Sequence, residues 1–82
     1  MSMNNIEKYN VCFTDVFSIK EDKLNEQFSN ETAGNWDSIH HLSLITKIEE
    51  NFDIMLDTDD ILGFTSYAYG KEILISKYNI VF

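Results

Sequence analysis

Apolar residues recur at helical spacing in two long stretches of the chain. In the first stretch they step by three and four residues, which predicts a helix running roughly from Asn4 to Phe17. Its apolar stripe consists of Ile6, Tyr9, Phe13, Val16 and Phe17. In the second stretch the same spacing continues over several turns from Ser38 and predicts the clearest helix of the chain. Its apolar positions are Ile39, Leu42, Ile45, Ile48 and Phe52, with Leu44 widening the stripe.

The segment from Ser18 to Asp37 separates these two helices and is mainly polar. Leu24 and Phe28 are its isolated apolar residues, so we expect a surface connection anchored at those two points and holding at most one helical turn. A connection of this length is unusual in a small domain and often carries function.

A short third helix is predicted after residue 56. Asp57 or Thr58 can cap its first turn, where acidic residues also face the positive end of the helix dipole. Gly63 is expected to end it.

A last helix is predicted to run to about Tyr78, with Thr65 or Ser66 as its cap. Its expected inner face consists of Ala68, Ile73, Leu74 and Tyr78. Gly70 within it costs about 1 kcal/mol relative to Ala, and we interpret it as the point where a neighbouring helix comes close. Three main helices, a short third helix and a long first loop predict an all-α four-helix bundle.

Length and charge narrow the classes of function. The 82 residues are enough for one small domain, which we expect to span 1–82, and they include 6 basic and 14 acidic residues with a net charge of −8. Without a basic stripe, nucleic acid and anionic membrane surfaces are not expected partners. No apolar run reaches the length of a membrane span and no targeting segment is recognisable, so a cytoplasmic location is expected. The lone Cys12 leaves no internal disulfide or Cys-based zinc site and is expected to be buried.

A serine at the start of the strongest helix carries the most specific signal. Asp37, Ser38 and Ile39 resemble the attachment motif of acyl and peptidyl carrier proteins, which is usually Asp-Ser-Leu. The stretch from Ile48 to Phe52 is similar to the acidic end of that family's second helix. The stretch from Asp57 to Ile61 is similar to its loop and short third helix. The resemblance covers about residues 38–78.

The resemblance implies a bundle of the acyl-carrier type, with a 4'-phosphopantetheine arm joined covalently to Ser38. It also implies that Asp37 caps the helix and contributes to recognition by the transferase, while Ile39 buries itself and anchors the helix start. The phosphodiester of the arm is negatively charged, which suits the free amides of a helix N-terminus. The implied protein is a non-catalytic carrier, without catalytic or metal-binding residues, that holds acyl intermediates as thioesters.

The implied partners are a phosphopantetheinyl transferase and the enzymes that load and use the acyl group in a pathway such as fatty acid or polyketide biosynthesis. An acidic, monomeric carrier suits enzymes with basic docking patches. His40 and Ser43 stand at positions that are commonly acidic in fatty-acid carriers, and Lys47 adds a base nearby. We therefore expect a specialised, free-standing carrier. Its acyl chain could enter an apolar space lined by core residues, for which the candidates are Ile39, Leu42, Ile61, Leu62 and Phe64.

Three other functions compete with the carrier hypothesis. A hydrolase built on Ser38 with His40 or His41 lacks a nucleophile elbow and a third orienting group. A calcium loop beginning at Asp57 has Leu62 where glycine is needed and Ala68 where glutamate is needed. A helical adaptor with the carrier fold but no arm is the alternative that stays open, because it would not need the Ser38 hydroxyl.

Overall fold

The computed structural model describes residues 3–82, and within that range the protein contains four α-helices and no β-strand. The helices are α1 (Asn5–Phe17), α2 (Ser38–Phe52), α3 (Thr58–Gly63) and α4 (Tyr67–Tyr78). A single 3₁₀ turn, Glu21–Lys23, interrupts the long connection between α1 and α2. The predicted all-α architecture with four helices is therefore confirmed. No helix within residues 3–82 is both long and apolar enough to cross a membrane.

Polar side chains define where each helix begins. Each α-helix starts after a residue whose side chain accepts a hydrogen bond from an amide of the first turn, which satisfies one of the donors left free there. These capping residues are Asn4, Asp37, Asp57 and Ser66. Gly63 is the last residue of α3, as predicted, and Phe64 follows as its C-cap.

Aromatic side chains form the centre of the core. Tyr9, Phe13 and Phe17 of α1 are buried against one another and against Phe64 and Tyr67 from the other end of the chain. Helix α2 adds Leu44, Ile45 and Ile48. The expected burial of Cys12 is confirmed, and burial raises the pKa of its thiol to about 11.

Gly70 of α4 lies against the side chains of Tyr9 from α1 and of Phe64. A Cβ atom at this position would be 2.5 Å from the hydroxyl oxygen of Tyr9 and would overlap the ring of Phe64. The Tyr9 hydroxyl donates a hydrogen bond to the Tyr67 carbonyl at 2.6 Å, so it is held in this position. Gly70 therefore makes room for two aromatic side chains, whereas the predicted approach of a neighbouring helix at this position is not seen among its nearest atoms.

The prediction that Ile39 buries itself at the start of α2 is wrong, because its side chain is 74% exposed. The buried face of α2 is centred on Leu44, Ile45 and Ile48. At about 100° per residue, Ile39 lies on the opposite side of the helix from that face. Leu42 is also exposed.

Hydrogen bonds hold the long connection against the helices. The Asn30 amide donates to the Thr65 carbonyl, and the Tyr67 amide donates to the Phe28 carbonyl, each at 2.9 Å. Leu24 and Phe28 pack against the core as the predicted anchors. Because the connection is hydrogen-bonded to the start of α4, the residues just before α2 have a defined position.

Candidate functional site

Ser38 is the first residue of α2 and is exposed. The preceding residue, Asp37, accepts a hydrogen bond from the His40 amide through its side chain at 2.9 Å. Its carbonyl accepts the His41 amide at 2.8 Å. The cap therefore fixes the helix start while the Ser38 side chain remains open to solvent.

Asp37 and His40 form an exposed pair beside the serine. The Nδ1 atom of His40 lies 2.7 Å from Oδ1 of Asp37, and the imidazole stacks on the Phe17 ring at 5.9 Å between centroids. Hydrogen bonds from the backbone and the ring of His40 lower the pKa of the Asp37 carboxyl. Asp37 is therefore ionised near neutral pH, and one of its carboxylate oxygens contacts the His40 ring.

An open groove of about 410 Å³ runs beside Ser38, between the start of α2 and the end of α3. Its wall is largely apolar and includes Trp36, Leu42, Ile61 and Leu62. Three of the five residues predicted to line an apolar space are therefore here. Ile39 does not line this groove and Phe64 is fully buried in the core.

His41 joins three elements at this groove. Its Nδ1 atom lies 3.0 Å from the Trp36 indole nitrogen, and its Nε2 atom lies 2.7 Å from the Ile61 carbonyl oxygen. Both ring nitrogens are thus engaged away from Ser38, which removes His41 as a base for a hydrolase. The imidazoles of His40 and His41 diverge, because that of His40 faces Asp37 and that of His41 faces Trp36 and Ile61.

The acidic cluster of α3 has structural roles. Asp57 caps the helix, and the buried Asp60 contacts Lys77 and Tyr78 of α4 at 2.7 Å each. Within residues 3–82, no group of three or more His, Cys, Asp or Glu side chains is arranged to hold a metal ion.

The exposed face of α2 next to Ser38 carries no charge over its first turns. Its exposed residues between positions 38 and 46 are Ser38, Ile39, Leu42, Ser43 and Thr46. Lys47 follows, 3.5 Å from Asp15 of α1. Exposed acids occur towards the other end of α2 and at the start of α3, at Glu50, Asp53, Asp57 and Asp59.

Comparison of the chain with protein-family models, curated proteins and solved structures finds no match. No relative therefore assigns a role to Ser38.

Proposed function

We propose that the chain is an acyl carrier protein that carries 4'-phosphopantetheine on the Ser38 hydroxyl and holds acyl groups as thioesters on that arm. The observation that supports this most strongly is the position of Ser38. It is an exposed serine at the start of a capped helix, directly beside an apolar groove. In this proposal the four helices correspond to the bundle of acyl carriers, and the chain performs no catalysis itself.

The chemistry of attachment suits this position. A transferase would use coenzyme A as donor: the Ser38 oxygen bonds to the phosphorus that carries the pantetheine, and adenosine 3',5'-bisphosphate leaves. The serine proton passes to a base of the transferase, so the carrier needs no base of its own. The new phosphodiester keeps one negative charge close to the positive end of α2, where the helix dipole favours an anion.

The groove supports the same proposal. The groove lies directly beside Ser38 and has a volume of about 410 Å³. Its apolar wall, formed by Leu42, Ile61 and Leu62, could cover part of the arm or of an attached acyl group. Burial of apolar surface contributes roughly 25 cal/mol per Å². Even partial cover would therefore favour the docked arm.

The proposed partners are a phosphopantetheinyl transferase and the enzymes that load and use the acyl group. Exposed acids such as Glu50, Asp53 and Asp59 would attract a basic docking patch towards the far end of α2. The exposed side chains of α2 from Ile39 to Thr46, which carry no charge, would meet the part of the partner closest to the arm. We propose a monomeric carrier that works in the cytoplasm in a dedicated pathway.

One observation favours a second candidate, an unmodified adaptor. Ile39, Leu42 and Leu62 are 74%, 61% and 71% exposed and lie near Ser38. Exposed apolar side chains of this size can dock a protein partner without any prosthetic group. Such an adaptor would bind its partner equally well without the Ser38 hydroxyl.

Intact-mass measurement after incubation with a phosphopantetheinyl transferase and coenzyme A separates the two functions. The carrier gains the mass of one phosphopantetheine, and Ser38→Ala gains none. Ser43→Ala is the matched control, because Ser43 is an exposed serine on the same helix, and it is expected to be modified like the parent protein. A parent protein that stays unmodified with several transferases would favour the adaptor.

A further inference from the structure

The hydrogen bonds of His41 determine which of its ring nitrogens carries the proton. The indole nitrogen of Trp36 is only a donor, so the Nδ1 atom of His41, 3.0 Å away, must be unprotonated to accept from it. The Ile61 carbonyl is only an acceptor, so the Nε2 atom, 2.7 Å away, must carry a proton. Both bonds form together only with the neutral imidazole protonated at Nε2.

A second proton on His41 is incompatible with this arrangement. It would place an N–H at Nδ1 directly against the N–H of Trp36, so two donors would face each other. The bond to Ile61 survives protonation, because the imidazolium still donates from Nε2. Of the two contacts, the one to Trp36 is therefore lost.

Few charged groups lie close enough to His41 to compensate for the loss of the Trp36 hydrogen bond on protonation. Among the described residues 3–82, Asp37 is the only other titratable one that lines the groove, and its carboxylate is engaged by His40. On the α3 side, the carboxylate of Asp60 contacts Lys77 and Tyr78 of α4 instead. From α1 and the long connection, the side chains packed around Trp36 are the apolar Phe13, Phe17 and Phe28.

We propose that His41 is a proton-sensitive latch of the groove beside Ser38. The neutral ring holds Trp36 and the end of α3 in place, and a proton on Nδ1 releases Trp36 from the groove wall. The latch goes beyond the carrier function and does not depend on it, because it needs neither the arm nor the Ser38 hydroxyl.

The single tryptophan of the chain makes the latch measurable in the unmodified protein. Imidazoles change their charge between about pH 8 and pH 5, so Trp36 fluorescence and its indole ¹H–¹⁵N resonance are followed across that range. Both are expected to shift with one midpoint, the same midpoint at which the His41 ring titrates by NMR. At pH 8 the ¹⁵N shifts of that ring should identify Nε2 as the protonated nitrogen.

Two variants separate His41 from its neighbour. His41→Gln keeps an N–H donor that can reach Ile61 but cannot gain a proton, so its Trp36 signals should stay constant over the same range. His40→Gln removes the other imidazole of the chain and should leave the Trp36 titration intact. Circular dichroism checks that each variant is helical.

Three results would overturn the latch: a pH-independent Trp36 resonance in the parent protein, a titration that persists in His41→Gln, or one that disappears in His40→Gln. If His41→Gln fails to fold, the titration of the parent protein still tests the latch. A His41 ring that titrates without moving the Trp36 resonance rules the latch out. Because the measurement uses unmodified protein, it is independent of whether a transferase acts on Ser38.

Discussion

The hydroxyl of Tyr78 lies 2.7 Å from Oδ2 of Asp60 and links the end of α4 to α3. The same hydroxyl accepts a hydrogen bond from the Asp57 amide at 3.1 Å, and Lys77 donates to the other oxygen of Asp60. Asp60 is 4% exposed, so its charge depends on these partners. The contact positions α3, which forms one wall of the groove beside Ser38.

Tyr78→Phe should destabilise the protein by about 1–3 kcal/mol, because it leaves a buried carboxylate oxygen without one of its donors. Urea unfolding measures the change. Tyr69→Phe is the matched control, since Tyr69 lies exposed on the same helix and its hydroxyl should matter by no more than about 0.5 kcal/mol. Equal stability of the two variants would show that the Tyr78 contact contributes nothing.

The stability of the protein should fall in acid through Asp60. The hydrogen bond from Lys77 is the main cause of the lowered pKa of this carboxyl. A carboxyl whose pKa is lower in the folded than in the unfolded chain stabilises the fold above its unfolded value of about 3.9. That contribution is lost as pH falls through the folded pKa.

Asp60→Asn should therefore be less stable than the parent protein at pH 7, and the difference should shrink below about pH 4. Thermal unfolding of both proteins across this range measures the difference. Asp59→Asn serves as the control, because Asp59 is exposed on the same helix. A difference in stability between the parent protein and Asp60→Asn that stays constant down to acid pH would contradict a stabilising role of the Asp60 charge.

Gly70→Ala should destabilise the protein although alanine is the better helix former. The new methyl group would collide with the Tyr9 hydroxyl and the Phe64 ring. Overpacking of this kind costs about 1–3 kcal/mol, against a gain of about 1 kcal/mol in helix propensity. In Gly34→Ala, by contrast, the methyl group meets no atom within 4 Å and should be tolerated. Urea unfolding compares the two, and a stabilised Gly70→Ala would contradict the close approach.

The sequence predicts the helices well because their signals are local. Apolar spacing places α1 and the start of α2 within about one residue, and Asp37, Asp57 and Ser66 mark helix starts through their own side chains. Each of these signals lies within a few residues of the feature that it predicts.

The orientation of α2 could not be predicted in the same way. Two apolar stripes are possible on this helix, one through Ile39 and Leu42 and one through Leu44 and Ile48. The second stripe faces the core. His41 lies on the same side, where Trp36 and the Ile61 carbonyl form hydrogen bonds with its two ring nitrogens. Ile61 is distant in the sequence, so helical periodicity carries no information about this contact.

A specialised carrier should be a poor substrate for general fatty acid synthase enzymes. The exposed face of α2 around Ser43 lacks the acids that such enzymes meet in their own carriers. Elongation rates of the loaded protein measure this, and Ser43→Glu should raise them. Ser76→Glu is the control, because Ser76 is exposed on another helix, α4. Normal rates for the parent protein would contradict a dedicated pathway.

Site-localised mass spectrometry shows directly whether Ser38 carries the proposed arm. The protein is incubated with a transferase and coenzyme A, and its fragments are then sequenced by tandem mass spectrometry. We expect one phosphopantetheine, located on Ser38 and absent from Ser38→Ala. A group located on another residue, or modification that persists in Ser38→Ala, would contradict it.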